Sequence, residues 1–112
     1  MTKRKSLINK ADKVFNKFIR ERDLQCVICG SKDGVSAGHL ITSKRIGIRY
    51  NPLNCHAQCR GCNMKHQWFP EIYFMWFLNK FNIRKFKSLV EQSIQPFNDD
   101  QIKEVIEQYG TN

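Results

Sequence analysis

Two spaced pairs of cysteines, an aperiodic glycine-rich stretch between them and helical apolar periodicity on both sides predict an α+β fold. A small metal-pinned hairpin is flanked by an N-terminal helix and by C-terminal helices. The pairs are Cys26-Val27-Ile28-Cys29 and Cys59-Arg60-Gly61-Cys62. Each i,i+3 pair brings two sulfurs onto one tetrahedral ion without straining the backbone, and the 29 residues between the pairs leave room for a hairpin. Four thiolates favour zinc. The alternative is a disulfide or redox dithiol, and the second CxxC argues against the dithiol, because thioredoxin-like motifs come singly within a βαβ pattern that is absent here. Cys55 is left over and reads as a small buried strand residue.

The 112 residues allow one domain, 1–112, whose modest core gains from a metal staple. It divides into a basic helix (1–22), a metal core (23–67) and a helical part (68–112). The opening residues are basic but lack an apolar run of signal-peptide length, and Ile72 to Leu78 is too short to span a bilayer. The expectation is a cytoplasmic protein, where thiols stay reduced and free to bind metal.

Residues 4–21 come first. Leu7, Ile8, Ala11, Val14, Phe15, Phe18 and Ile19 recur at helical spacing and predict an amphipathic helix over about residues 4–21. On its other face Lys10, Lys13, Lys17 and Arg20 form a stripe that either follows a phosphate backbone or is a solvated face. Residues 26–62 read as a knuckle, a strand near Val35 to Thr42, a basic loop and a short strand near Asn54 to Gln58. A helix starts at the second knuckle. Pro70 opens another, Glu71 to Phe81, apolar almost all round. Asn82 caps a helix carrying Phe86, Leu89, Val90 and Ile94, and Gln95-Pro96 breaks it. Asn98, with Asp99 and Asp100 in the first turn and Gln101 in the capping-box position, starts a last helix. Ile102, Val105, Ile106 and Tyr109 face inward there, and Gly110 stops it.

Charge is unevenly placed. Residues 1–87 hold 18 Lys/Arg against 5 Asp/Glu, and residues 88–112 hold 1 against 5. A basic body with an acidic end points to a polyanionic partner, nucleic acid first, since phosphate neutralisation and counterion release drive such association.

Hydrolysis of a phosphodiester needs a base for water, a divalent ion on the departing oxygen and a group that orients the base. His39 follows two small residues, which lets a phosphate approach, and when neutral it accepts a proton from water. The competing reading is a histidine hydrogen-bonded inside a knuckle. Asn63, directly after the second knuckle, offers an amide oxygen to Mg²⁺ or Mn²⁺, or else caps a helix. Asn54 holds the loop between the strands or is a plain turn residue. His56 shares a strand face with Asn54, as a second metal or phosphate ligand or as a structural partner. His66, one helical turn from Asn63, either touches phosphate or is an exposed helix histidine, and Lys65 with Lys44, Arg45 and Arg49 of the basic loop are candidate phosphate contacts.

Cys-x-x-Cys, then Gly38-His39, then Asn54-x-His56-x-Gln58-Cys59-x-x-Cys62-Asn63 resembles the HNH, or ββα-metal, endonucleases on a treble-clef zinc frame. The pattern is similar above all to the phage NinG (Rap) family, and the Cys-x-x-Cys-Asn element to endonuclease VII-type resolvases. The likeness runs from Phe18-Ile19-Arg20-Glu21-Arg22-Asp23 through Ala37-Gly38-His39 and Arg49-Tyr50-Asn51 to the two C-terminal helices. It implies structural zinc on the four cysteines, catalytic Mg²⁺ or Mn²⁺ near Asn63, and catalytic roles for His39, Asn54 and Asn63. The implied activity is cleavage of branched DNA such as Holliday junctions during phage recombination. Many HNH enzymes carry an acidic residue or histidine before the catalytic histidine and a histidine after the second knuckle; Gly38 and Asn63 stand there in this chain.

Two other readings stay open, a nicking or homing-type HNH nuclease and a non-catalytic zinc DNA-binding module. Against the module, the chain after Cys62 soon becomes a wall of aromatics unsuited to the major groove. Tyr73 to Leu78 is the expected homodimer interface, or is covered within one chain by the N- and C-terminal helices.

Overall fold

The computed structural model describes residues 2–110; Met1, Thr111 and Asn112, the ends of the expected domain, lie outside the described residues. The first helix, α1, runs Lys3–Asp23. Thr2 caps it by accepting from the Lys5 N–H at 3.1 Å, and Leu24 ends it in the left-handed region at φ 68°. Ala11, Phe15 and Ile19, one turn apart, form its buried edge.

The last turn of α1 is stapled to the hairpin. Asp23 accepts both arms of Arg22 and the Ala57 N–H at 2.8 Å, while Arg22 also donates to the carbonyls of Pro52 and Cys55. The hairpin itself is β1 (Ser36–His39) against β2 (Cys55–Gln58), antiparallel, with Gly38 opposite His56 and His39 opposite Cys55. β1 is shorter than Val35 to Thr42. The Asn54 carboxamide takes both the N–H and the C=O of Ile41, at 2.8 and 3.0 Å, and ends the ladder there.

The expected basic loop contains one helical turn, α2 (Ile46–Arg49), and a 3-10 turn over Pro52–Asn54. Ile48 is buried, and Gly47 lets α2 lie under the end of a later helix: a Cβ there would stand 2.4 Å from the Gln95 carbonyl oxygen. That contact links residues far apart in sequence, so no local signal announces α2.

Four helices follow: α3 (Arg60–Trp68), α4 (Pro70–Lys80), α5 (Ile83–Ser93) and α6 (Asp99–Tyr109). Cys59 is the N-cap of α3, Pro70 opens α4, Asn82 caps α5, and Asn98 with Gln101 forms a reciprocal capping box on α6.

The core has two parts. Phe15, Ile19, Tyr50 and Cys55 meet Ile102 and Val105 between α1, α6 and the hairpin, whereas Leu40, Ile48, Tyr73, Phe77 and Leu89 meet between the hairpin's end, α4 and α5. The cover over α4 therefore comes from the hairpin and α5, and not from the N-terminal helix, which packs on α6. Part of α4 stays open, with Met75 59% exposed. Among the described residues no helix is long and apolar enough to cross a membrane.

Candidate metal centre and hairpin site

Sγ atoms of Cys26, Cys29, Cys59 and Cys62 all lie within 4.8 Å of one another, and those of Cys29 and Cys59 are 3.6 Å apart. Sulfurs so spaced fit one tetrahedral ion with metal–sulfur bonds of about 2.3 Å. The first knuckle turns tightly, Gly30 N–H to the Cys26 carbonyl at φ 80°, and Val27 N–H holds it to β2 through the Ala57 carbonyl. Burial opposes ionisation of Cys26, but hydrogen bonds from the backbone of Cys29, Cys59 and Ile28 outweigh it and bring the thiol down to about 7. Four cysteines are thus positioned to hold a metal ion, consistent with structural zinc. Cys55 stays apart, its thiol pushed up by burial to about 12.

Strand alternation separates the hairpin residues. Gly38, His56 and Gln58 face α3 and α4, and Ala37, His39, Cys55 and Ala57 face α1. His39 Nε2 lies 2.9 Å from the Arg49 carbonyl oxygen. A carbonyl only accepts, so Nε2 carries the proton and Nδ1 keeps its lone pair. Among the described residues Nδ1 has no hydrogen-bond partner. Burial lowers the pKa of the ring below its usual value, the Arg49 charge adds to this, and Asp12 opposes it.

Asn54 is fully buried and touches the loop backbone two residues beyond His39, so it holds the end of β1. Asn63 is exposed, on the first turn of α3, and does not cap that helix. Its Oδ1 lies 3.1 Å from where a Cβ on residue 38 would stand. Gln58 Oε1 would be 2.1 Å from the same point, and this oxygen is buried without a partner. Asn63 and His39 thus flank adjacent residues of β1 from opposite faces.

Two expectations need qualifying by their partners. Of the two roles read for His56, the structure shows the structural one: its Nδ1 donates to the Tyr73 hydroxyl at 3.0 Å, the hydroxyl donates to the Gly38 carbonyl, and Trp76 packs edge-on at 4.8 Å. Burial takes its pKa down to about 4. His66 is held as well: Nε2 donates to the Leu40 carbonyl at 3.0 Å and the ring packs on Tyr73.

Lys10, Lys13, Lys17 and Arg20 are exposed along α1, Lys17 beside Glu21 at 3.7 Å, and Lys44 and Lys65 are exposed as well. Arg45 is exposed with one arm 3.3 Å from Ser93 Oγ. Arg49 is the third such case. Its guanidinium grips Asp12 at 2.8 and 2.6 Å and reaches the Ser43 carbonyl, so it braces the loop and is not free for phosphate.

Asp12, Arg22, Asp23 and Gln58 are the residues to which sequence reasoning gives no role, the last three entering it only as part of the resemblance. Asp12 is the lone acid among residues 3–20, and Gln58 lies two residues beyond His56 and next to Cys59, which were the available signals. A cleft of about 970 Å³ between the first knuckle and α4 includes neither His39 nor Asn63.

A small α+β protein with a two-stranded hairpin tied to a four-cysteine metal centre is the class that this fold and site define. Residues 1–112 match the family described as Bacteriophage Lambda NinG protein, and the chain belongs to that family. Protein ninG of Escherichia phage lambda is 41% identical over 61 residues, which is 50% of this chain and 30% of that protein. Protein ninG of Escherichia phage 933W and of Salmonella phage P22 are each 39% identical over the same length. The matched stretch therefore covers under a third of these relatives. No solved structure matches the chain.

Proposed function

We propose that this NinG-family chain is a metal-dependent DNA endonuclease of the HNH type that cuts branched DNA, four-way junctions in particular, in phage recombination. The observation that carries the reading is the His39 ring. Its Nε2 is committed to the Arg49 carbonyl, its Nδ1 keeps a lone pair, and burial holds it neutral near pH 7. A neutral imidazole with one free lone pair suits the removal of a proton from an attacking water. On the opposite face Asn63 brings an amide oxygen to Gly38, a hard donor of the kind Mg²⁺ and Mn²⁺ take. An ion bound there would supply charge stabilisation at the departing oxygen. Since the two residues approach β1 from opposite faces, the scissile phosphate belongs at the strand's open edge.

The zinc site has a different task. With four sulfurs the ion has no open position, as in structural centres. A net charge of +9 and the exposed cations of α1 support DNA as the partner. Exposed Trp68 on α3, Phe69 at the joint, and Ile72 and Met75 on α4 support a homodimer, which two cuts on opposed strands require. A monomer with one hairpin nicks one strand, and that is the runner-up.

The test is incubation of a labelled four-way junction and a matched duplex with and without Mg²⁺, with light scattering of the complexes. Mg²⁺-dependent junction cleavage is expected from the parent and none from His39→Ala, which keeps its affinity for DNA. Cleavage by His39→Ala at the parental rate would refute the mechanism. A monomer with equal affinity for both substrates would leave the nicking reading.

A further inference from the structure

The cleft of about 970 Å³ between the first knuckle and α4 takes no part in the site around His39. Pockets for small ligands run to about 300–1,000 Å³, so it has room for a nucleotide and bound water. Trp76 lines it and is half-buried. The His56 ring holds the indole at 4.8 Å, and Phe81 meets it nearly perpendicularly at 6.2 Å. The indole is therefore a fixed platform with part of its surface open, and Leu53 and Val27 add aliphatic lining.

The polar groups left over suit a nucleotide. Asp23, the acid in the lining, already takes both arms of Arg22. Among the described residues the side chains of Gln25 and Lys80 have no hydrogen-bond or ion-pair partner, and both line the cleft. Lys85 stands over the Phe81 ring at 5.4 Å. The unanswered charge is thus positive and lies beside aromatic rings, so a phosphate meets the ammonium groups while a base stacks on a ring face. A free carboxamide pairs with the edge of a base. An apolar peptide would leave these groups unused.

We propose that this cleft takes one unpaired nucleobase of branched DNA, stacked on Trp76 with its phosphate at Lys80. The inference rests on DNA being the partner and deepens the nuclease reading. A branch point interrupts stacking and lets a base leave the helix at less cost than a linear duplex does. The cleft is also tied to the hairpin, because His56 donates to Tyr73 and Tyr73 to the carbonyl of Gly38, the neighbour of His39. A base captured at Trp76 fixes the branch point against the strand that carries His39.

The experiment uses zinc-loaded protein without added divalent ion, so that no strand is cut. Fluorescence anisotropy measures binding of a short labelled oligothymidine, a four-way junction and a matched duplex. A 2-aminopurine at the branch point reports stacking, and thermal melts check every variant. The parent is expected to bind oligothymidine and quench the 2-aminopurine. Trp76→Ala weakens oligothymidine binding roughly tenfold and loses the quenching, since each base–aromatic stack carries binding free energy of that order. The junction loses affinity too, and the matched duplex loses less. Trp76→Phe recovers most of the binding because a planar ring remains. Lys80→Ala flattens the salt dependence by roughly 0.7 of a unit of slope, the share of one phosphate on a single strand.

Oligothymidine that fails to bind the parent, or that binds Trp76→Ala as tightly, overturns the proposal. So does a Trp76→Phe protein that melts like the parent and binds as weakly as Trp76→Ala. Should Trp76→Ala melt early, an unquenched 2-aminopurine in the parent or a parental salt slope in Lys80→Ala overturns it. If the parent cuts junctions while Trp76→Ala binds like the parent, only this proposal falls. If the parent binds oligothymidine through Trp76 and cuts nothing, the nuclease reading falls and the nucleobase site stands.

Discussion

His39 donates through Nε2 to the backbone carbonyl of Arg49 at 2.9 Å, and the side chain of the same Arg49 is locked to Asp12 by two bonds of 2.8 and 2.6 Å. The proposed base is therefore aimed by main chain, and α1 holds that main chain in place. Tyr50 adds a third contact to Asp12, at 2.8 Å.

Asp12→Ala should cost stability and turnover together. The pair is about a quarter exposed, so the loss is about 1–2 kcal/mol and not the larger cost of a fully buried pair. Denaturant unfolding of Asp12→Ala, Arg49→Ala and the double variant checks this. A double variant whose loss equals the sum of the singles would show that the contact is not coupled. In single-turnover assays the cleavage step should slow while DNA affinity changes little.

Cleavage should gain rate with rising pH through an acid limb below 6.5, the ordinary histidine value. Burial lowers the His39 pKa, so the ring loses its proton earlier than a free imidazole and is already a base at pH 7. A pH profile of the single-turnover rate at saturating metal measures the limb. A limb above pH 7 would assign the base to another group.

Acid should weaken the fold through His56. Its folded pKa is about 4 and its unfolded value about 6.5, so between these the unfolded chain binds a proton that the folded chain refuses. Stability is then full above pH 6.5 and falls by roughly 2–3 kcal/mol as pH drops toward 4. Melts of the parent and of His56→Gln at pH 7 and 5, with zinc in excess, should show a steeper loss in the parent.

One zinc per chain is expected by elemental analysis, and substitution of any of the four cysteines should unfold the hairpin. Structural zinc in small modules carries on the order of 10 kcal/mol of folding free energy. A folded, zinc-free protein would end the assignment.

Reversal of Lys10, Lys13 and Lys17 to Glu should weaken binding to junction and duplex alike and flatten the salt dependence by roughly one unit of slope per lost phosphate contact. Lys17→Glu by itself also breaks the Glu21 pair, which at an exposed site matters little. Titrations at two salt concentrations decide it.

Local signals made most of the elements legible. Caps at Asn82 and Asn98, the proline at 70 and the cysteine spacings each act within a few residues, and the structure has α4, α5 and α6 where those signals put them. The helical turn at Ile46–Arg49 rests on Gly47 lying under Gln92 and Gln95, and the end of β1 rests on a side chain 13 residues away. Such long-range contacts leave no period in the sequence. The same holds for the site: the four cysteines announce themselves, but the engagement of Arg49 by Asp12 and of His56 by Tyr73 could be seen only after folding. A histidine or arginine in a loop looks free until its partner is known.

The cysteine pairs stand on either side of the hairpin, and Cys59 is also the cap of α3. Capturing the ion thus means closing a loop of 29 residues, at an entropic cost of roughly 3 kcal/mol before any strand contact is made. Either pair can bind metal loosely in the unstructured chain, and the other is delivered only when the strands meet. Hairpin closure and the nucleation of α3 become one kinetic event, and its rate should rise with free zinc until one ion is bound per chain.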